Sequence, residues 1–95
     1  MVQPAKASAP FDPESPVRLH PAVALRDESF GALAYHYDNR RLVFLKSKAL
    51  VELVVDLEHH GCARTAAAAH VEPHEVDAYV AALARLYDAG VIDGR

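Results

Sequence analysis

Cysteine occurs once in the 95 residues, at Cys62, so no internal disulfide can form. Glycine is scarce as well, with four in all, and none of them builds a phosphate-cradling loop or the GxSxG turn of a nucleophilic serine. No apolar run approaches the ~18 residues that a membrane span needs. The N-terminus does not follow the plan of a secretory signal, a charged start before an apolar core and a cleavage site. The chain therefore reads as cytoplasmic, without membrane contact. A surplus of positive charge is missing too: the net charge of -3 and the pI near 6.0 give no general attraction for nucleic acid.

What is present is a chain 52% hydrophobic and 24% charged, the balance of one folded domain with a small core. Pro4, Pro10, Pro13 and Pro16 punctuate residues 1–17, which show neither helical nor strand periodicity. They read as a flexible N-terminal tail, with 18–95 as the body. Phe11 is the one aromatic of that tail, either exposed or docked on the body or a partner.

The organising stretch is Arg41-Leu42-Val43-Phe44-Leu45, which follows the run from Gly31 to Tyr37 across a short turn. Together they predict a β-hairpin of about five rungs. Whether Asp38-Asn39 or Asn39-Arg40 forms the loop, Leu33, Tyr35 and Tyr37 share a face with Leu42 and Phe44. Upstream, Val23 and Leu25 alternate as in a short strand, giving a three-stranded antiparallel meander over about 23–45. A ribbon of this size needs cover to be stable in water, and everything after Leu45 reads as helical. Unless another segment lies beside it, the strand 41–45 is left as an open sheet edge, a liability unless something is meant to pair with it.

Ser47 is a good N-cap for a helix over about 48–60, in which Leu50, Val51, Val54, Val55 and Leu57 recur at helical spacing before Gly61. A short alanine-rich helix is expected over 63–70, with Cys62 as a poor cap, and a third from Pro73 to about residue 89, stopped by Gly90. Val91 and Ile92 are expected to fold back on the core. On the third helix Val76, Tyr79, Val80, Leu83, Leu86 and Tyr87 share one broad arc. Tyr79 and Leu86 lie at its border with Ala82 and Glu75 just beyond, and large apolar residues beside a small one suit a groove wall. On that reading Leu86→Asp weakens ligand binding while leaving the fold intact.

Catalytic chemistry is hard to assemble from these residues. His59 and His60 are adjacent, so on a helix they point about 100° apart and cannot meet one metal or the Cys62 thiolate together unless the helix frays. His70 and His74 have metal-pair spacing, but Pro73 puts a helix boundary between them. No catalytic residue, cofactor or metal is expected. The order of elements, α+β with a three-stranded sheet followed by three helices, also describes a winged helix-turn-helix. In such a fold the third helix would face DNA, yet its start carries Glu72, Glu75 and Asp77, which repel phosphates. Arg40, Arg41, Lys46 and Lys48 cluster on the hairpin and its exit, as a solvated edge or as an attraction for an acidic peptide.

Three runs carry a resemblance: Leu19-His20-Pro21-Ala22-Val23-Ala24-Leu25-Arg26, then Phe30-Gly31-Ala32-Leu33-Ala34-Tyr35-His36-Tyr37, then Leu42-Val43-Phe44-Leu45-Lys46-Ser47. They resemble the mycofactocin-system chaperones, the MftB family, and the order of elements resembles precursor-peptide recognition domains such as the pyrroloquinoline-quinone chaperone. The likeness covers about 19–92 and is most specific in the strands. It implies a non-catalytic adaptor without a cofactor. Such an adaptor binds the leader part of the mycofactocin precursor peptide and presents it to a radical S-adenosylmethionine maturase, which alters the C-terminal Val-Tyr. By position, the leader would add as a strand beside Arg41, Leu42, Val43, Phe44 and Leu45. Its apolar side chains would press on the third helix near Tyr79, Ala82, Leu83 and Leu86, with Glu75 at that helix's start. The alternatives are a winged-helix DNA-binding regulator and a small self-associating domain, a homodimer through the open sheet edge.

Overall fold

The computed structural model describes residues 10–95. In chain order its elements are β1 (Val17–Leu19), β2 (Val23–Glu28), β3 (Gly31–His36), β4 (Leu42–Leu45), α1 (Lys48–Asp56), α2 (Ala63–His70), α3 (Val76–Asp88) and β5 (Ile92–Gly94). Single 3-10 turns at Leu57–His59 and Pro73–Glu75 extend α1 and lead into α3. The α+β class and the antiparallel meander β2-β3-β4 followed by three helices match the sequence pattern.

The hairpin takes the register centred on Asp38-Asn39, with Ala32 opposite Leu45, Leu33 opposite Phe44, Ala34 opposite Val43 and Tyr35 opposite Leu42. Arg40 adopts φ 64° to close the turn, and the imidazole Nδ1 of buried His36 accepts the amide of Asp38 at 3.2 Å. Leu33, Tyr35, Leu42 and Phe44 do share a face. The helices, however, cover the opposite one, made of Val23, Ala32, Ala34, His36 and Leu45, all buried. The alanines on β3 are the physical reason, because their short side chains let α1 approach the sheet closely. Leu42 and Phe44 are each 59% exposed on the outer face, where the Phe30 and Phe44 rings meet edge-on at 5.7 Å. Gly31 permits the same tight junction: at φ 152° a Cβ there would lie 2.0 Å from the Leu45 carbonyl oxygen.

Each helix begins where a side chain satisfies its free amides. Ser47 Oγ accepts the Leu50 amide at 2.9 Å, and Cys62 Sγ accepts that of Thr65 at the longer distance of 3.5 Å. Glu72 and Glu75 form a reciprocal capping box ahead of α3. Leu53, Val54 and Leu57 from α1 and its turn meet Ala63, Ala66 and Ala67 of α2 and Val80, Leu83 and Leu86 of α3 in one core. Val55, counted with the apolar repeat of α1, points outward and is 52% exposed.

An element absent from the sequence reading is the two-stranded sheet of β1 and β5, with Val17 opposite Gly94 and Leu19 opposite Ile92. Three-residue strands at the two ends of the body carry no local period to read. The return of Val91 and Ile92 to the core is as expected, and both are buried. Of the tail assigned by composition, residues 1–9 lie outside the described residues. Residues 11–17 lie against the body: the Phe11 ring is 5.4 Å from that of Tyr87, Glu14 accepts from Arg64 Nε at 2.7 Å, and Val17 is in the core.

Candidate functional site

The edge of β4 away from β3 has no strand beside it among the described residues. His36 donates its amide to the Arg41 carbonyl at 3.0 Å, which sets the phase of the ladder. Antiparallel pairing alternates, so Val43 and Leu45 spend their amides and carbonyls on β3. Leu42 and Phe44 turn theirs to the open edge. Their backbone offers two donors and two acceptors to whatever lies alongside.

Beside this edge runs a groove of about 410 Å³, lined by Val43, Phe44, Lys46, Leu50, Ala82, Arg85 and Leu86. It continues as a second hollow of about 210 Å³ along Lys46, Ser47, Leu50, Ala78, Tyr79 and Ala82. The space exists because α3 presents Ala78 and Ala82, one turn apart, toward the place where β4 hands over to α1. Tyr79 and Leu86 flank the alanines, as their border position on the apolar arc suggests. Lys46 and Arg85 bring positive charge to a lining that is otherwise mostly apolar. Lys48 is already engaged, its Nζ donating to the Glu28 carbonyl at 2.8 Å.

Of the residues singled out from sequence, Val43, Phe44, Tyr79, Ala82 and Leu86 come together here. Leu45 and Leu83 are fully buried beneath it, in the core. Arg41 is exposed at the turn, and Leu42 contributes backbone while its side chain faces outward. Glu75 is spent on the capping box, its carboxylate accepting the Glu72 amide at 3.3 Å. Leu86 serves both core and groove at 5% exposure, so Leu86→Asp cannot leave the fold intact as the arc alone suggests. Lys46, from the basic cluster on the hairpin exit, also lines the groove, whereas the residue pattern does not mark Ser47, Leu50, Ala78 and Arg85 as groove residues. Ala78, Ala82 and Arg85 stand at i, i+4 and i+7 of one helix face, which was the available signal. Spacing gives Leu50 as core and Ser47 as a cap, and neither role points to the groove.

The histidines are arranged otherwise than their spacing suggests. His70 does not pair with His74 but places Nε2 at 2.8 Å from Asp56 Oδ2. His59 and His60 both reach the same carboxylate, at 2.9 and 2.8 Å. Hydrogen bonds from His70, His60 and His59, in that order of weight, hold the Asp56 carboxyl well below the usual carboxylate range. Cys62 stands apart as a buried cap with Sγ 3.1 Å from Thr65 Oγ1.

The model of the peptide chaperone MftB family matches residues 16–93, nearly the whole described body. The peptide chaperone MftB of Mycolicibacterium smegmatis is 43% identical over 83 residues, covering 86% of this chain and 81% of the relative. That of Mycobacterium tuberculosis is 40% identical over 86 residues, covering 90% and 79%, and that of Mycobacterium ulcerans 42% identical over 85 residues, covering 88% and 78%. No solved structure matches the chain significantly. With a family model that spans the strands and all three helices, and relatives 40–43% identical over most of the chain, the chain belongs to the peptide chaperone MftB family.

Proposed function

We propose that this chain is a non-catalytic adaptor of mycofactocin biosynthesis, which captures the leader part of the precursor peptide and presents it to a radical S-adenosylmethionine maturase. The observation that carries the reading is the coincidence of free backbone groups at Leu42 and Phe44 with the apolar groove against α3. An extended leader lying along β4 gains backbone hydrogen bonds of about 0.5–1.5 kcal/mol net each. Four of these do not offset the ordering of a flexible peptide on their own. Apolar side chains seated on Val43, Leu50, Ala82 and Leu86 supply the difference, at about 1.5–3 kcal/mol for a fully buried Leu or Phe. Because side chains alternate along a strand, every second leader residue enters the groove and the others lie beside Leu42 and Phe44 on the outer face. Lys46 and Arg85 favour a leader with acidic residues near its anchors.

Isotope-edited NMR of the full chain tests this. Titration with the leader segment is expected to shift amides at 41–46 and along 78–86, with a scrambled leader producing no such pattern. Absence of specific shifts would remove the adaptor reading. The same open edge supports a second reading, pairing between two copies, in which solution mass rises with concentration and falls on adding leader.

A further inference from the structure

Three segments bring their ends to one point beside the α1–α2 junction. Asp56 closes α1, His60 follows the 3-10 turn, and His70 closes α2. One ligand atom from each lies within 4.8 Å of the others, and Nε2 of each imidazole is 2.8 Å from the shared Oδ2 of Asp56. Adjacent histidines on a helix diverge, but the chain leaves the helical path at His60, with φ -125° and ψ 158°, and this turns its ring back toward Asp56. His59 approaches the other oxygen, Oδ1, at 2.9 Å, which fixes the plane of the carboxylate.

We propose that Asp56, His60 and His70 form a binding site for a single divalent transition cation of the zinc class, which staples the end of α1 to the end of α2. Two imidazoles and one carboxylate suit such borderline cations, and the set leaves a coordination position for water. The side chains of His60 and His70 are 21% and 20% exposed, so an ion can enter from solvent while the ligands stay held by packing. Their rings are inclined at 72° with centroids 6.2 Å apart, so they do not stack and their nitrogens can converge on one ion. Metal–ligand distances of about 2.0–2.1 Å require ligand atoms roughly 3.3 Å apart, which a small rotation of each ring supplies. Arg95 holds the turn that carries His60, its guanidinium donating to the carbonyls of Leu57, Glu58 and His60.

Coordination requires the Nε2 lone pairs, which a neutral imidazole supplies by changing tautomer without losing its proton. Each imidazole that donates Nε2–H to Asp56 must move its proton to Nδ1, freeing the Nε2 lone pair. Among the described residues no hydrogen bond occupies Nδ1 of His60 or His70, so this tautomer is accessible. The other cluster of potential ligands, His20, His36 and Asp38, fails on this point. Nδ1 of His36 accepts the Asp38 amide and Nδ1 of His20 accepts the Ala22 amide, so a proton cannot be placed there.

The test is a titration of the full chain with Zn²⁺ alone, followed by long-range ¹H–¹⁵N NMR of the imidazoles. One equivalent is expected to convert His60 and His70 from the Nε2–H to the Nδ1–H form, leaving His20, His36 and His74 unchanged. Affinity measured against a chelator is expected to fall at least about tenfold in His70→Gln, a loss in the range known even for second-shell partners, and to stay unchanged in His74→Gln. Saturation without a tautomer change at His60 and His70, or equal affinity in the two variants, would overturn the site, as would the absence of stoichiometric binding. The NMR readout on the natural chain decides the matter even where His70→Gln does not fold.

Discussion

Leu86 and Ala82 stand one turn apart on α3 and separate the two demands placed on that helix. Leu86 reaches the core, and Leu86→Asp removes a packed side chain at about 2–5 kcal/mol and adds a charge to be desolvated. It is expected to abolish helical circular dichroism at ambient temperature or to lower the melting midpoint steeply. Ala82 is half-buried and lines both parts of the groove. Ala82→Asp places a carboxylate where leader side chains would sit, with little to disturb beneath it. Calorimetry is expected to show leader affinity reduced at least about tenfold, roughly 1.4 kcal/mol, with the melting midpoint near that of the natural chain. Full binding by this variant would locate the peptide elsewhere. At Asp56 the prediction concerns acid. A carboxyl whose pKa is lowered on folding stabilises the native state fully above its unfolded value of 3.8, and that contribution is lost as the pH falls further. The pH dependence of denaturant unfolding below 3.8 is therefore expected to be shallower in Asp56→Asn than in the natural chain.

Among the elements, β4 is the one whose two sides have different tasks. The Val43 amide belongs to the ladder with β3, whereas the Phe44 amide faces the open edge. Proline at the two positions is therefore expected to behave oppositely. Val43→Pro removes a sheet hydrogen bond and should unfold the hairpin, while Phe44→Pro is tolerated as proline is on edge strands. Phe44→Pro is nonetheless expected to bind leader more weakly than Phe44→Ala, since only the former lacks the edge amide. Equal binding by the two would mean that the peptide does not add as a strand. The helices show the same division between local and distant causes. Ser47, Pro73 and Gly90 at φ 83° mark ends that are legible in the residues, whereas the capping box of Glu72 and Glu75 emerges only in the structure. Spacing alone also suggested the alternation of β3 and β4, but not which face the helices would cover.

For the molecule as a whole, the outer sheet face is the surface least expected from the pattern. Phe30, Tyr37, Leu42 and Phe44 are exposed there, with Leu33 and Tyr35 half-buried between them. Such an apolar face beside a free edge favours association. Sedimentation over a wide concentration range is expected to show reversible self-association, weakened by Phe44→Ser and by leader. A mass independent of concentration would show that edge and face stay apart without a partner. The sequence by itself determined the α+β order, the hairpin and its register choices, the caps at Ser47 and Gly90, and the arc of the third helix with Tyr79 and Leu86 at its border and Ala82 and Glu75 just beyond, because each follows from neighbours within a turn or a strand pair. Only tertiary structure decided that alanines rather than aromatics face the helices, and that Leu86 belongs to the core. It likewise brought Val17 beside Gly94 and joined His60 to His70 through Asp56. Those outcomes depend on which surfaces pack most closely across long stretches of chain, and no local period records that competition.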